Sequence, residues 1–421
     1  MKVVLINTSD SKGGASIACR RLLFALDKLR CQVKMLVRDK STTHDLIIST
    51  GTFFLKKKMN SFHMLLERIY FISKANSKKY WFIFSPANTG ENIAKNVHIK
   101  ESDIIHLHWI NQGFLSLKGL EKLVDLKKPI VWTLHDMWAF TGGCHHSADC
   151  ESYKIMCANC PMLKNPATKD LSNSLWNKKS FIYKSANLNV VTCSKWLALC
   201  AQQSGLFKNI QVHSIPNPID TNAFSPINKS ELRSKYNLTN SKRYILFGAE
   251  NLKNTFKGFS FFVDALNELI LRDPKIKNET EVIVFGKSTP ELIQLIPLNV
   301  INFSIVSSEN KMIELYNMSD VYVTSSIQEN LPNTIMESMS CGCPVVGFRI
   351  GGIPEMIDHQ INGYVADYKS VSDLATGINW VLYKSEIEEL KKQARNKVLN
   401  HYSEEVVAGK YLDLYQKLIN K

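Results

Sequence analysis

No stretch of this chain stays apolar long enough to cross a bilayer, which takes about 20 such residues in a helix. The opening run Met1-Lys2-Val3-Val4-Leu5-Ile6-Asn7 is too short for a signal-peptide core and reads instead as a first buried strand. A cytoplasmic protein is the expectation. The common catalytic fingerprints are also incomplete. Ser11-Lys12-Gly13-Gly14-Ala15 is not a full Gly-x-Gly-x-x-Gly, so dinucleotide binding lacks its signature. Gly286-Lys287-Ser288 ends like a Walker phosphate loop, but position 281, where that loop needs glycine, is Glu. With no Gly-x-Ser-x-Gly and no His-Glu-x-x-His, the common hydrolase and metalloprotease readings lack their residues. There is no tandem repeat and no low-complexity segment.

Acidic residues are in short supply: 38 Asp and Glu face 52 Lys and Arg, a net charge of +14. Much of the excess gathers between Lys56 and Lys79, where Lys56, Lys57, Lys58, Arg68, Lys74, Lys78 and Lys79 meet only Glu67. Phe62, Leu65, Leu66, Ile69, Tyr70, Phe71 and Ile72 are interleaved, with Trp81 and Phe82 following. A basic, partly amphipathic stretch suits an anionic membrane surface. It equally suits a solvated basic face over ordinary core residues. Nucleic acid would be attracted too, but no recognisable nucleic-acid-binding module is present, so none is expected as a partner.

What is there fills two domains. The 421 residues, 45% hydrophobic and 21% charged, are enough for two cores. Short apolar runs alternate with amphipathic stretches, which implies βαβ units and parallel sheets. Strands are expected at Val3–Ile6, Gln32–Val37, Asp103–His108, Ile130–Leu134 and Val190–Cys193. A second set is expected at Tyr244–Gly248, Glu281–Gly286, Val300–Val306, Val321–Thr324 and Pro344–Gly347. Between the sets, the prolines of His213-Ser214-Ile215-Pro216-Asn217-Pro218-Ile219-Asp220 stiffen an extended hinge. The expected layout is therefore a first domain over 1–212, a second domain over 213–402 and a closing helix over 403–421. Two doubly wound domains of this kind face each other across a cleft.

Four of the ten cysteines, Cys144, Cys150, Cys157 and Cys160, cluster in an insert over about 141–165. Dense cytosolic cysteines point to metal more than to disulfides. Only Cys157-Ala158-Asn159-Cys160 has the spacing of a zinc knuckle, and His145 or His146 could replace a sulfur. A structural zinc stands beside free thiols or occasional disulfides as a reading of this segment.

The densest chemistry lies in Ile327-Gln328-Glu329-Asn330-Leu331-Pro332-Asn333-Thr334-Ile335-Met336-Glu337. Pro332 suits a first helical turn, and the amides of Asn333 and Thr334 then point out of a helix start, where they can bind an anion. Glu337 falls about one turn further in. The segment thus offers a phosphate seat, one carboxylate before it and one beside it. Lys257, in Phe256-Lys257-Gly258, is a compact cation able to neutralise a departing diphosphate. His135-Asp136 follows the strand Ile130–Leu134, where an imidazole can donate to a substrate oxygen. His106, His108 and Trp109 end the preceding strand and are candidates to touch an acceptor, or else ordinary core residues. Gly13 and Gly14 allow close approach of a ligand at a helix start.

The Glu329–Glu337 spacing resembles the Glu-x7-Glu signature of the retaining glycosyltransferases of family four, which adopt the GT-B fold. The order that follows, Cys341-Gly342-Cys343-Pro344-Val345-Val346-Gly347, then Gly351-Gly352-Ile353-Pro354-Glu355 and Asn362-Gly363-Tyr364-Val365, is also that family's order. The resemblance implies an α/β GT-B protein whose terminal helix crosses back to the first domain. It implies a nucleoside-diphosphate sugar as donor and a glycan or polyprenyl-linked glycan as acceptor, in polysaccharide assembly at the inner membrane face. By its pattern Glu329 lies against the donor sugar, Glu337 holds the ribose, and amides near Asn333, Thr334, Gly351 and Gly352 receive phosphate. Lys257, Gly13, Gly14 and His135 also match, and Asp136 with His108 falls on the acceptor side. The family's usual Arg before the Lys is absent, and Lys253 is the candidate substitute. No catalytic metal is implied, and no Asp-x-Asp is present. The rivals are a non-catalytic scaffold or zinc-dependent binding protein on the same fold, and an epimerase or phosphorylase.

Overall fold

A computed structural model of the protein describes residues 1–51 and 54–420, the side chains of 54–60 excepted. The chain divides into two compact units, Met1–Pro218 with Val407–Lys421, and Ile219–Val406. The backbone passes between them at two places, and there Ile219 bridges Ser403 in parallel fashion within the second unit.

The first unit is built on seven strands: β1 (Lys2–Ser9), β2 (Gln32–Asp39), β3 (Ile47–Ser49), β4 (Ile104–Leu107), β5 (Ile130–Leu134), β6 (Leu188–Thr192) and β7 (Val212–Ser214). They lie in the order β3-β2-β1-β4-β5-β6-β7, every pair parallel. Runs such as Val3-Val4-Leu5-Ile6 are apolar at every position because both faces of a parallel sheet are covered. Val4 and Ile6 belong to one cluster and Val3 and Leu5 to another, one on each face. β3 and β7, short strands at the two edges, were not among the expected strands; three residues leave too little pattern to detect.

The second cluster is closed by the last helix, Glu404–Ile419, through Val407, Ala408, Tyr411, Leu414, Tyr415 and Leu418. Its two tyrosines also make polar contacts in the core. Tyr415 Oη lies 2.6 Å from His106 Nδ1, while His106 Nε2 lies 2.8 Å from Thr133 Oγ1, which is 2.8 Å from Tyr411 Oη. His106 is thus a fully buried core residue, with both ring nitrogens satisfied.

The second unit holds six parallel strands: β8 (Arg243–Asn251), β9 (Thr280–Lys287), β10 (Asn299–Asn302), β11 (Val321–Thr324), β12 (Val345–Phe348) and β13 (Gly363–Ala366). Their order is β10-β9-β8-β11-β12-β13. In both sheets the first strand of the unit neighbours the fourth, so the winding direction reverses there: between β1 and β4, and between β8 and β11. Ligands gather at the carboxyl ends of strands flanking such a reversal. β10 stops at Asn302, four residues before the expected end, and Ser304 then takes a left-handed φ of 53°. Among the described residues no helix is long and apolar enough to cross a membrane.

Removing one hydroxyl from the terminal helix tests the buried network. Tyr415→Phe leaves His106 Nδ1 without its partner and is expected to cost about 1–3 kcal/mol, read as a lower melting temperature. Gln416→Ala, at an exposed position of the same helix, should leave it unchanged.

Candidate functional site

Lys257 and Glu329 meet at the carboxyl end of the second sheet, with Lys257 Nζ 2.5 Å from Glu329 Oε1. They stand 72 positions apart in sequence. Lys257 ends a short 3-10 turn after β8, capped by the Asn254 side chain, which accepts from the Phe256 amide at 3.1 Å. Gly258 follows with φ 66°, and a Cβ there would stand 1.9 Å from the carbonyl oxygen of Ser325. No other residue could press that turn onto the loop after β11. Ile327 completes the contact by donating its amide to Phe256 O at 2.9 Å. Lys257 is about a third exposed, and such an ion pair adds only about 0–1 kcal/mol of stability. Its consequence is positional: an ammonium and a carboxylate are held together at the sheet's reversal.

The helix beside them spans Asn333–Ser340, and no side chain caps its start. Pro332 was expected inside the first turn. It stands just before the helix, at φ −68° and ψ 122°, an extended conformation that leaves Asn333 as the first helical residue. The amides of Asn333 and Thr334 therefore open the helix, as the anion seat requires. Glu337 lies one turn in and is buried, with Oε2 accepting from the Tyr316 hydroxyl at 2.9 Å. Gly351 has φ 56°, and a Cβ there would come within 1.8 Å of the Glu329 carbonyl oxygen. The Gly352 amide, expected to receive phosphate, instead donates to Asn330 O at 2.8 Å. The glycine pair thus buttresses the backbone that carries Glu329. Lys253 is exposed, and its charge helps to lower the Glu291 carboxyl.

The first unit gathers the other expected residues. Gly13 forms the amino-terminal cap of the helix Gly14–Lys28, with open space where a side chain would be. Asp10, just before, accepts from the amides and hydroxyls of Ser41 and Thr42 at 2.7–3.0 Å. These bonds outweigh its burial and hold its carboxyl below the usual range. Sequence reasoning missed this anchor, whose one local signal is an acid placed before a glycine pair.

His135 was expected to offer its imidazole to a substrate oxygen, and His108 to touch the acceptor. The two rings contact each other: His108 Nδ1 lies 3.0 Å from His135 Nε2, and His135 Nδ1 lies 3.5 Å from Cys193 Sγ. His108 is buried, 4.3 Å from the His106 ring centroid, and its Nε2 has no hydrogen-bond partner. Burial keeps all three imidazoles neutral. His106 is pulled down to about 3 and His108 well below its ordinary value, both by burial and then by neighbouring imidazoles, while burial pulls His135 to about 4 against the opposing charge of Asp136. Asp136 points elsewhere. It accepts from Trp109 Nε1 at 2.8 Å, from the Trp138 amide at 2.8 Å and from His145 Nδ1 at 2.7 Å.

His145 Nε2 in turn lies 3.0 Å from Ser85 Oγ. This Ser–His–Asp string is a tether, because Ser85 is wholly buried and out of reach of a substrate. It pins the cysteine-rich insert. Cys144, Cys150, Cys157 and Cys160 are all free thiols. Burial pushes the Cys144, Cys157 and Cys160 thiols up to about 12, with nearby thiols adding to the shift. Among the described residues no group of three or more His, Cys, Asp or Glu side chains is arranged to hold a metal ion. The insert is held by side chains of the helix Leu171–Lys184 and by the Asp170 that caps it. Asp170 accepts from the Cys160 amide at 2.7 Å, Asn173 donates to Cys157 O at 3.1 Å, and the buried Lys179 donates to Thr141 O at 3.0 Å.

The basic stretch is only partly a surface. Lys56, Lys57 and Lys58 lie outside the described side chains. Arg68 is turned inward, donating to the carbonyls of Trp81 and Phe84 and lying 4.9 Å over the Phe82 ring. Glu67 is also buried and accepts from the Gly113 amide at 2.8 Å. Facing outward on the helix Phe54–Lys74 are Phe62, Leu65, Leu66 and Ile69, more than half exposed at three of the four positions. Lys74, Lys78, Lys79 and Phe82 are also exposed.

Comparison with known proteins shows the family and the fold. The model for Glycosyltransferase Family 4 matches residues 12–223, and that for Glycosyl transferases group 1 matches residues 242–384. The chain belongs to glycosyltransferase family 4. It is 24% identical, over 335 residues, to the putative colanic acid biosynthesis glycosyl transferase WcaC of Escherichia coli K12, covering 75% of this chain and 76% of that one. It spans about half the length of other curated relatives. Among solved structures, sucrose-phosphate synthase from Thermosynechococcus elongatus superposes with a TM-score of 0.68 at 17% identity, over 100% of this chain and 99% of that one. Anabaena HepE in complex with UDP superposes with a TM-score of 0.66 at 14% identity, over 99% and 100%. The shared fold is GT-B.

The buried imidazoles set an acid limit on stability. In the unfolded chain they protonate near 6.5, so below that pH the unfolded state binds more protons and stability falls as the pH drops towards 4. Each histidine should contribute a slope of about 1 kcal/mol per pH unit in that window. Denaturant titrations at several pH values between 6.5 and 5 are expected to show the loss, with a shallower slope in His106→Gln.

Proposed function

We propose that the protein moves a sugar from a nucleoside diphosphate to a growing glycan, with retention of the anomeric configuration. The observation that carries this reading is the grouping in the second unit of Lys257, Glu329, the uncapped start of the Asn333–Ser340 helix and Glu337. A nucleoside-diphosphate sugar needs this set. Glu337 takes the ribose hydroxyls, the helix start takes phosphate, and Glu329 takes the sugar. When the bond from the anomeric carbon to the diphosphate breaks, its electron pair moves onto the phosphate oxygen. Lys257 is placed to lower the energy of that developing charge, an effect that grows where water is excluded. The relative WcaC, named for colanic acid biosynthesis, supports a polysaccharide product. The scaffold and epimerase or phosphorylase readings draw no support from the relatives.

The acceptor in this reading is a polyprenyl-linked glycan at the inner membrane face. The support is the outward face of Phe62, Leu65, Leu66 and Ile69 beside exposed lysines. The one acid in that stretch, Glu67, is buried, so apolar and cationic groups face outward together, as an anionic bilayer surface requires.

Two measurements test these statements. In a thermal-shift panel of UDP, GDP, ADP and CMP, one nucleotide should raise the melting temperature, since ligand at 100 times Kd adds about 2.7 kcal/mol. Glu337→Ala should remove the shift. Folded protein that responds to none of the four overturns the donor reading. In liposome flotation, vesicles containing anionic lipid should carry the protein and neutral ones much less. The double variant Leu65→Asp, Ile69→Asp should abolish that recovery, and equal recovery with both lipids counts against the membrane face.

A further inference from the structure

We infer that Tyr316 is a positioning residue for the nucleoside half of the donor, setting how strongly the protein distinguishes ribose from a sugar without hydroxyls. The inference rests on the proposed role of Glu337. Tyr316 belongs to the helix Glu309–Met318, and the structure buries it completely. Its hydroxyl donates to Glu337 Oε2 at 2.9 Å. A phenol fixed on that oxygen holds the carboxylate plane, so the directions of its remaining lone pairs are set before any ligand arrives. Hydrogen-bond strength falls steeply with misalignment, so a carboxylate free to turn would bind a diol less well. Burial, followed by the charge of Glu337, raises the Tyr316 hydroxyl well above its ordinary value, so it remains a donor at any working pH.

A second tyrosine supports the neighbouring position in the same way. Tyr322 on β11 packs edge-on against Tyr316, with ring centroids 5.9 Å apart and planes at 80°. It donates to Thr334 Oγ1 at 3.1 Å. Since the Thr334 oxygen accepts from Tyr322, its own proton is left to donate elsewhere, and Thr334 stands at the helix start that takes phosphate. The two phenols therefore act on different parts of one ligand: Tyr316 behind the ribose carboxylate, Tyr322 behind the phosphate seat. Neither belongs to a sequence motif, and Tyr316 lies 21 positions before the acid it orients.

The test compares binding of the nucleoside diphosphate selected by the panel with binding of its 2′,3′-dideoxy form, by calorimetry. Wild type should prefer the ribose form by at least tenfold. Tyr316→Phe keeps the ring and removes one hydroxyl. It should weaken the ribose form about tenfold, leave the dideoxy form within twofold and so collapse the preference. Tyr322→Phe should weaken both forms alike and keep the preference. A general loss of structure would lower both affinities together and leave their ratio unchanged, so a changed ratio marks positioning even where the lost hydroxyl also lowers the melting temperature. If wild type prefers the ribose form and Tyr316→Phe keeps that preference, the role of Tyr316 is overturned while the donor reading stands. If wild type shows no preference, the ribose reading of Glu337 fails and this inference fails with it.

Discussion

Two backbone contacts hold the chemistry of the second unit together, and neither tolerates a side chain. At Gly258 the turn that bears Lys257 presses on the Ser325 carbonyl, and at Gly351 the loop after β12 presses on the Glu329 carbonyl. Both glycines have positive φ, so a larger residue would be strained there as well as obstructed. Through these contacts three loops, following β8, β11 and β12, become one surface at the carboxyl edge of the sheet. The ion pair of Lys257 with Glu329 is a result of that closure. Isolated on an open surface, the same pair would scarcely form.

The first unit achieves rigidity by different means. Its core is not wholly apolar: three imidazoles lie in series from β4 to the end of β5, and the terminal helix reaches them with two phenols. Buried polar groups are tolerated when paired, and nearly all of these are. The exception is His108 Nε2, an unpaired atom one ring away from His135. A chain end more than 300 positions later in sequence thus fixes the His106 ring, which packs 4.3 Å from the ring of His108. Asp136, expected on the acceptor side, is held by Trp109, Trp138 and His145, and its charge ties down the cysteine-rich insert through His145.

Much was legible in the sequence because parallel strands buried on both faces leave continuous apolar runs, and those runs end where polar loops begin. Ile130–Leu134 and Val321–Thr324 appear with the expected bounds. The short edge strands β3 and β7 were not legible, since three residues carry no period. The Glu329–Glu337 segment was readable because its chemistry is local: a proline, two amides and two acids within eleven positions. Arg68 was misread as a surface cation while Lys74 is one, and nothing in the sequence separates the two. A cation's side chain gives no sign of its direction until packing decides it, and Arg68 found two backbone carbonyls inside.

The sequence by itself determined the fold class and the family, because these follow from periodicity and from short-range spacing. The tertiary structure alone decided which groups are spoken for. It gave the Gly352 amide to Asn330, Asp136 to the insert, His108 to His135 and one oxygen of Glu337 to Tyr316. Each of these is a pairing between segments distant along the chain, and a hydrogen bond is fixed by distance and angle in space, which spacing along a sequence does not encode.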